Sequence, residues 1–72
     1  MKPTITYDPE ADAAYITLSS ARVLESEEVR PGVVFDYDDT DRIVGIEVLG
    51  ARGKLGADTL AGVAIYEAAL NV

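Results

Sequence analysis

Hydrophobic and polar residues alternate from the start of the chain: Ile5 and Tyr7 interleave with Thr4 and Thr6 until Asp8-Pro9-Glu10 interrupts. A period of two in β-branched and aromatic residues predicts a strand. Pro9 has no N–H for a ladder and a φ suited to a turn, so residues 8–12 are expected to reverse the chain. A second strand is predicted over residues 13–18, with Ala14, Ile16 and Leu18 on one face and Ala13, Tyr15 and Thr17 on the other. Over residues 22–29, Val23, Leu24 and Val29 are interspersed with Glu25, Glu27 and Glu28. Such a charged strand belongs at a sheet edge, where charge discourages edge-to-edge pairing.

Pro31-Gly32 breaks the chain, and Val33-Val34-Phe35 opens a fourth strand that runs into Asp36-Tyr37-Asp38. Asp39-Thr40-Asp41 reads as a hairpin tip. The fifth strand, residues 42–49, sets Val44, Ile46 and Val48 on one face and Ile43, Gly45, Glu47 and Leu49 on the other. Gly50, Gly53 and Gly56 then punctuate a segment expected to be a flexible connection carrying Arg52 and Lys54. Asp58 or Thr59 is placed to cap a helix running to Leu70, with Leu60, Val63, Ala64, Glu67 and Leu70 near helical spacing. Gly62 costs such a helix about 1 kcal/mol relative to Ala, and Val63, Ile65 and Tyr66 also suit a strand. The expected fold is α+β: one domain over residues 1–72, a five-stranded antiparallel β-meander with one C-terminal helix. Apolar residues on both faces let the helix cover one and a partner subunit the other.

Length sharpens that last expectation. A chain of 72 residues buries only about 60% of the surface that its unfolded form exposes. Small cores are usually reinforced by disulfides, metals or oligomerisation. With no Cys and no His, disulfides and thiolate or imidazole metal sites are excluded, and association with a second copy is the expected remedy. Thirteen acidic against six basic residues give a net charge of −7, which repels nucleic-acid phosphate and anionic lipid. The basic residues are dispersed, and only Arg52 and Lys54 stand close together. Direct nucleic-acid binding is therefore not expected, and a basic protein is the favoured heterologous partner. No run approaches the ~20 apolar residues of a membrane span, and no signal-like segment opens the chain. The expected compartment is the cytoplasm.

Four groups of residues raise a question of chemistry. The stretch from Val33 to Thr40 matches Asp-x-Asp-x-Thr after an apolar strand, the nucleophile motif of haloacid-dehalogenase-type phosphatases, with Asp36 as attacking group. That fold needs a parallel sheet and further Lys and Asp elements beyond this length, and here a strand follows the motif at once. Asp36, Asp38, Asp39 and Asp41 also resemble the opening of a calcium loop, without its closing Glu and without glycine at its sixth position. The competing account of both is a hairpin whose aspartates favour turn conformations and water. Asp8, Glu10 and Asp12 form a second acidic group in which Asp8 or Asp12 is expected to accept turn N–H groups. Glu47, on an otherwise apolar face, calls for a partner: an Arg, backbone amides, a subunit contact or a bound ligand. Asp12, Tyr15 and Glu47 are the candidate binding or interface residues. Without His or Cys no nucleophilic triad can form, and Ser19, Ser20 and Ser26 lack an activating base; Gly53-Lys54-Leu55 is not a phosphate-binding loop. No catalytic residue and no cofactor are expected.

Three blocks in order, Tyr7 to Ile16 (YDPEADAAYI), Phe35 to Asp38 (FDYD) and Arg42 to Leu49 (RIVGIEVL), resemble domain-of-unknown-function family 2283. The resemblance spans Thr4 to Ala51; beyond Leu49, Gly50-Ala51-Arg52 replaces the more usual Asp-Ala-Ser. It implies a short prokaryotic β-rich domain with no activity, cofactor or catalytic residue to carry over, and a suggestion of antitoxin-like roles. The expected function is a homo-oligomeric protein interaction module; the alternatives are a carboxylate cation or small-ligand site and, last, the phosphatase-like site.

Overall fold

The computed structural model describes residues 2–60. Five strands form one antiparallel sheet: β1 (Thr4–Asp8), β2 (Ala13–Thr17), β3 (Glu25–Arg30), β4 (Val33–Tyr37) and β5 (Ile43–Leu49). Two of the turns are stabilised by an aspartate close in sequence. Asp8 Oδ1 accepts the N–H groups of Glu10 (3.0 Å) and Ala11 (3.3 Å) between β1 and β2. Between β4 and β5, Asp38 Oδ1 accepts Thr40 N–H, the Thr40 hydroxyl and Arg42 N–H at 2.8, 2.8 and 3.0 Å. These are the Asx-type bonds that make aspartate a turn residue. Gly32, at φ 78, supplies the positive φ for the turn joining β3 to β4.

The strand order is β1-β2-β5-β4-β3, which corrects the expected meander. β5 inserts between β2 and β4, pairing Ala14 with Val48 and Ile16 with Ile46 on one side, and Phe35 with Ile46 on the other. Burial explains the exchange. Val44 and Val48 are among the few buried side chains, so β5 suits a central position. β3, whose six residues are all exposed, would lose hydration of three Glu side chains there. It lies at the edge, as its charge pattern predicts.

One face of the sheet carries the core: Tyr7, Ala14 and Val48, closed by Ala51 and flanked by Ile5, Ile46, Leu55 and Leu60. The glycine-punctuated segment is not a mere connection, because Ala51–Lys54 forms a helical turn, α1. Gly50, left-handed at φ 64, turns the chain from β5 onto this face. A second helical stretch occupies residues 57–60, so two short helices stand in place of the one expected. The Gly56 carbonyl accepts Thr59 N–H and Leu60 N–H (3.0 and 3.3 Å), and the helix begins two residues earlier than an Asp58 cap would set it. The expected continuation to Leu70, including Val63, Ala64 and Glu67, lies outside the described residues. Among the described residues no helix is long and apolar enough to cross a membrane.

Candidate functional site

Polar side chains gather in two places, one on each side of the sheet. On the face opposite α1, Tyr15 of β2 stands across from Glu47 of β5, and Glu47 in turn stands across from Val34 of β4. One step along, Gly45 of β5 pairs with Thr17 and with Asp36 of β4, which pairs with Ser26 of β3. The missing Cβ at Gly45 is what joins these rows. A Cβ there would collide with the hydroxyl and ring of Tyr15, so the phenol lies over the glycine and reaches across a strand. Its hydroxyl donates to Asp36 Oδ2 at 2.6 Å, and the Ser26 hydroxyl donates to Oδ1 at 2.6 Å. Both carboxylate oxygens of Asp36 are thereby engaged.

The electrostatics follow from that geometry. The hydrogen bond to Asp36, then partial burial and the nearby charges of Asp36 and Glu47, push the Tyr15 phenol up to about 12. Tyr15 is therefore a neutral donor throughout the physiological range. Glu47 is half-buried beside it. Among the described residues no hydrogen bond or ion pair to its carboxylate accompanies that position.

On the helix side, Asp12 works as a clamp. Its backbone is left-handed (φ 51), and Oδ1 accepts the Tyr7 hydroxyl at 2.8 Å and Arg52 N–H at 3.1 Å. The Asp12 carbonyl accepts Ala51 N–H at 2.9 Å. Arg52 adds a longer ion pair to Asp12 (3.9 Å), a bond to the Pro9 carbonyl (3.3 Å) and a guanidinium over the Tyr7 ring at 5.8 Å. The Tyr7 hydrogen bond is the largest influence on the Asp12 carboxyl; burial opposes it, and backbone N–H donation and charge from Arg52 help to hold the group below its usual range. Asp12 and Glu47 thus serve opposite sides of the sheet and form no acid–base pair.

The four hairpin aspartates are not brought together. Asp36 belongs to the Tyr15 network, and Asp38 holds its own turn. Asp41 is a left-handed turn residue at φ 60, and Asp39 is exposed. Among the described residues no group of three or more acidic side chains is placed to hold a metal ion. For phosphoryl transfer Asp36 would need a free oxygen and a cation beside it, whereas Lys54 donates to the Leu49 carbonyl at 2.6 Å. Sequence reading missed Ser26, Tyr7 and Arg52 as members of these networks. Counting back from Pro31-Gly32 sets Glu27 against Asp36, but a bulge between Glu28 and Arg30 shifts the register by one and places Ser26 there instead. Nothing local signals that Arg52 reaches Asp12, forty residues away.

Neither a curated protein nor a solved structure matches the chain. A family model does match, over residues 4–52, from the first residue of β1 to the arginine of the Asp12 clamp. The chain therefore belongs to the family described as "Protein of unknown function (DUF2283)".

Proposed function

We propose that this domain is a non-catalytic protein interaction module that acts as a homo-oligomer. The observation that carries the reading is the balance of the core. Among the described residues the buried hydrophobic side chains are only Tyr7, Ala14, Val44, Val48 and Ala51, while Val23, Leu24, Val29, Ile43 and Leu49 are exposed. A small domain that buries so little gains from covering apolar surface with a second subunit. The polar networks favour the same reading over catalysis. Tyr15, Ser26 and Asp36 satisfy one another, and Tyr7, Asp12 and Arg52 brace a turn.

Light scattering across a concentration series tests the proposal. A mass of two chains or more supports it, and a single chain at every concentration overturns it. A basic protein partner, and with it an antitoxin-like role, is a further reading that rests on the net charge of −7. Capture of such a partner in a salt-sensitive complex would support it. Calorimetric titration with Ca²⁺ and Mg²⁺ tests the rival cation reading, for which saturable heat is required.

A further inference from the structure

Cations are scarce in this chain, six against thirteen acids, and two of them meet at one place. Between α1 and the helix side of the sheet lies a cleft of about 400 Å³, within the usual range of small-molecule sites. Its apolar lining comes from Ile16 of β2, Val33 of β4, Ile46 and Val48 of β5, and Leu55 just after α1. All five are aliphatic, and no acidic residue is among the described residues that line the cleft. Arg30, the last residue of β3, and Lys54, the last of α1, supply its charge. Two other clefts carry acids instead: Glu25, Glu27 and Asp41 in one, Asp38 and Asp39 beside Arg22 in the other.

The two cations are held differently. Lys54 Nζ donates to the Leu49 carbonyl at 2.6 Å, and two left-handed glycines make room for it: a Cβ at Gly32 would stand 2.9 Å from the ammonium nitrogen and one at Gly50 3.1 Å. The bare backbone of Gly32 thus lets the ammonium settle beside the turn from β3 to β4, across Pro31 from Arg30. Among the described residues one of its three N–H groups is used, and the others remain as donors. The Arg30 guanidinium makes no hydrogen bond or ion pair among the described residues. At Gly53 an added Cβ would meet no atom within 4 Å, so this margin of the cleft is open.

We infer that the cleft binds a medium-chain aliphatic carboxylate, with its chain against Ile16, Val33, Ile46 and Leu55 and its carboxylate at Arg30 and Lys54. The chemistry of the lining carries the choice. Aliphatic side chains offer no hydrogen bond to the body of a ligand, and no aromatic ring is there to stack on one, whereas a guanidinium and an ammonium both donate charge-assisted bonds to a carboxylate. Charge also sets the place. A net charge of −7 repels an anion over most of the surface, and this cleft brings two cations together without an acid. Both cations are exposed, so each adds little and binding is weak. The inference is independent of the homo-oligomer reading.

Calorimetric and NMR titration of the full chain with octanoate tests the inference. Saturable binding is expected at a Kd of about 1 mM, with the largest amide shifts at Ile16, Val33, Ile46 and Leu55. Octanol, which lacks the charge, and acetate, which lacks the chain, should bind more weakly, and octyltrimethylammonium should not saturate. Arg30→Gln and Lys54→Gln should each raise the octanoate Kd by about threefold, and together by roughly tenfold. Gln at position 54 keeps an N–H donor for the Leu49 carbonyl, and circular dichroism verifies that the sheet is retained. Failure of octanoate to saturate, shifts confined to other residues, or equally tight binding of octanol or the cation overturns the inference, as does an unchanged Kd in the folded double variant. If the double variant loses its sheet, the ligand series and the shift map decide. A multimer in the wild type that becomes a single chain in the folded double variant places a second copy in the cleft and overturns the carboxylate.

Discussion

Gly45 is where one missing atom organises a face of the molecule. With any side chain at that position, the Tyr15 ring could not lie over β5 and its hydroxyl could not reach Asp36. Gly45→Ala is expected to destabilise the fold by about 1–3 kcal/mol, the usual cost of overpacking. Tyr15→Phe, which removes one hydrogen bond at a half-buried position, should cost about 1 kcal/mol. Because both changes act through the same contact, the double variant should lose less than the sum, and urea unfolding of the four proteins measures the difference. The Tyr15 phenol also predicts a pH effect. Its value in the folded state is raised from 10.0 to about 12, so its stabilising contribution is complete below about pH 10 and is lost as pH rises through 12. Tyr7 and Tyr37 shift in the same direction. The Tyr15 share is therefore read as the difference between the wild type and Tyr15→Phe in an alkaline unfolding series.

At the scale of elements, Asp12 converts a glycine-punctuated segment into a docked helical turn. α1 is only four residues long, far too short to hold itself together. Its first two N–H groups are held by the Asp12 carbonyl and carboxylate, and Ala51 is fully buried beneath it. Asp12→Ala should lower the melting temperature and remove hydrogen-exchange protection at Ala51 and Arg52, while Asp12→Asn, which keeps an acceptor and tolerates the left-handed backbone, should retain most of it. The Asp12 carboxyl is held below its ordinary value of 3.8. Its contribution is thus present above that pH and is lost as pH falls through the lower folded-state value. Acid unfolding of Asp12→Asn against the wild type isolates that part, since Asp38 is lowered too, chiefly by Arg42 N–H donation. The β4–β5 hairpin has its own anchor in Asp38. Asp38→Ala leaves the Thr40 and Arg42 N–H groups without that carboxylate acceptor, so increased exchange is expected at both.

For the whole molecule, net charge and self-association act against each other. A charge of −7 on each chain opposes self-association at long range. Screening removes the long-range repulsion within a Debye length of about 10 Å at 0.1 M salt and about 3 Å at 1 M. Raising salt should therefore strengthen self-association, as read by sedimentation or scattering at fixed chain concentration. An interface held together by ion pairs would weaken instead.

Most of the strands could be read from sequence alone, because a strand needs only local information: period-two alternation, with Pro or Asp where it must stop. Asp8 and Asp38 as turn residues, β3 as an edge, and the split of β5 into two faces follow from the chemistry of nearby residues. The order of the strands did not follow, since β5 reaches its central place by competing with β3 for burial, and that comparison is made across the whole sheet. The candidate site divides in the same way. Tyr15, Glu47, Asp12 and Asp36 stood out by residue type, but their partners did not. Tyr15 meets Asp36 across a glycine, Ser26 meets it through a bulged register, and Arg52 meets Asp12 from forty residues away. Local sequence determined which segments are strands and which residues turn them; only the tertiary structure decided which polar groups satisfy one another, because those bonds exist only between segments that burial has already brought side by side.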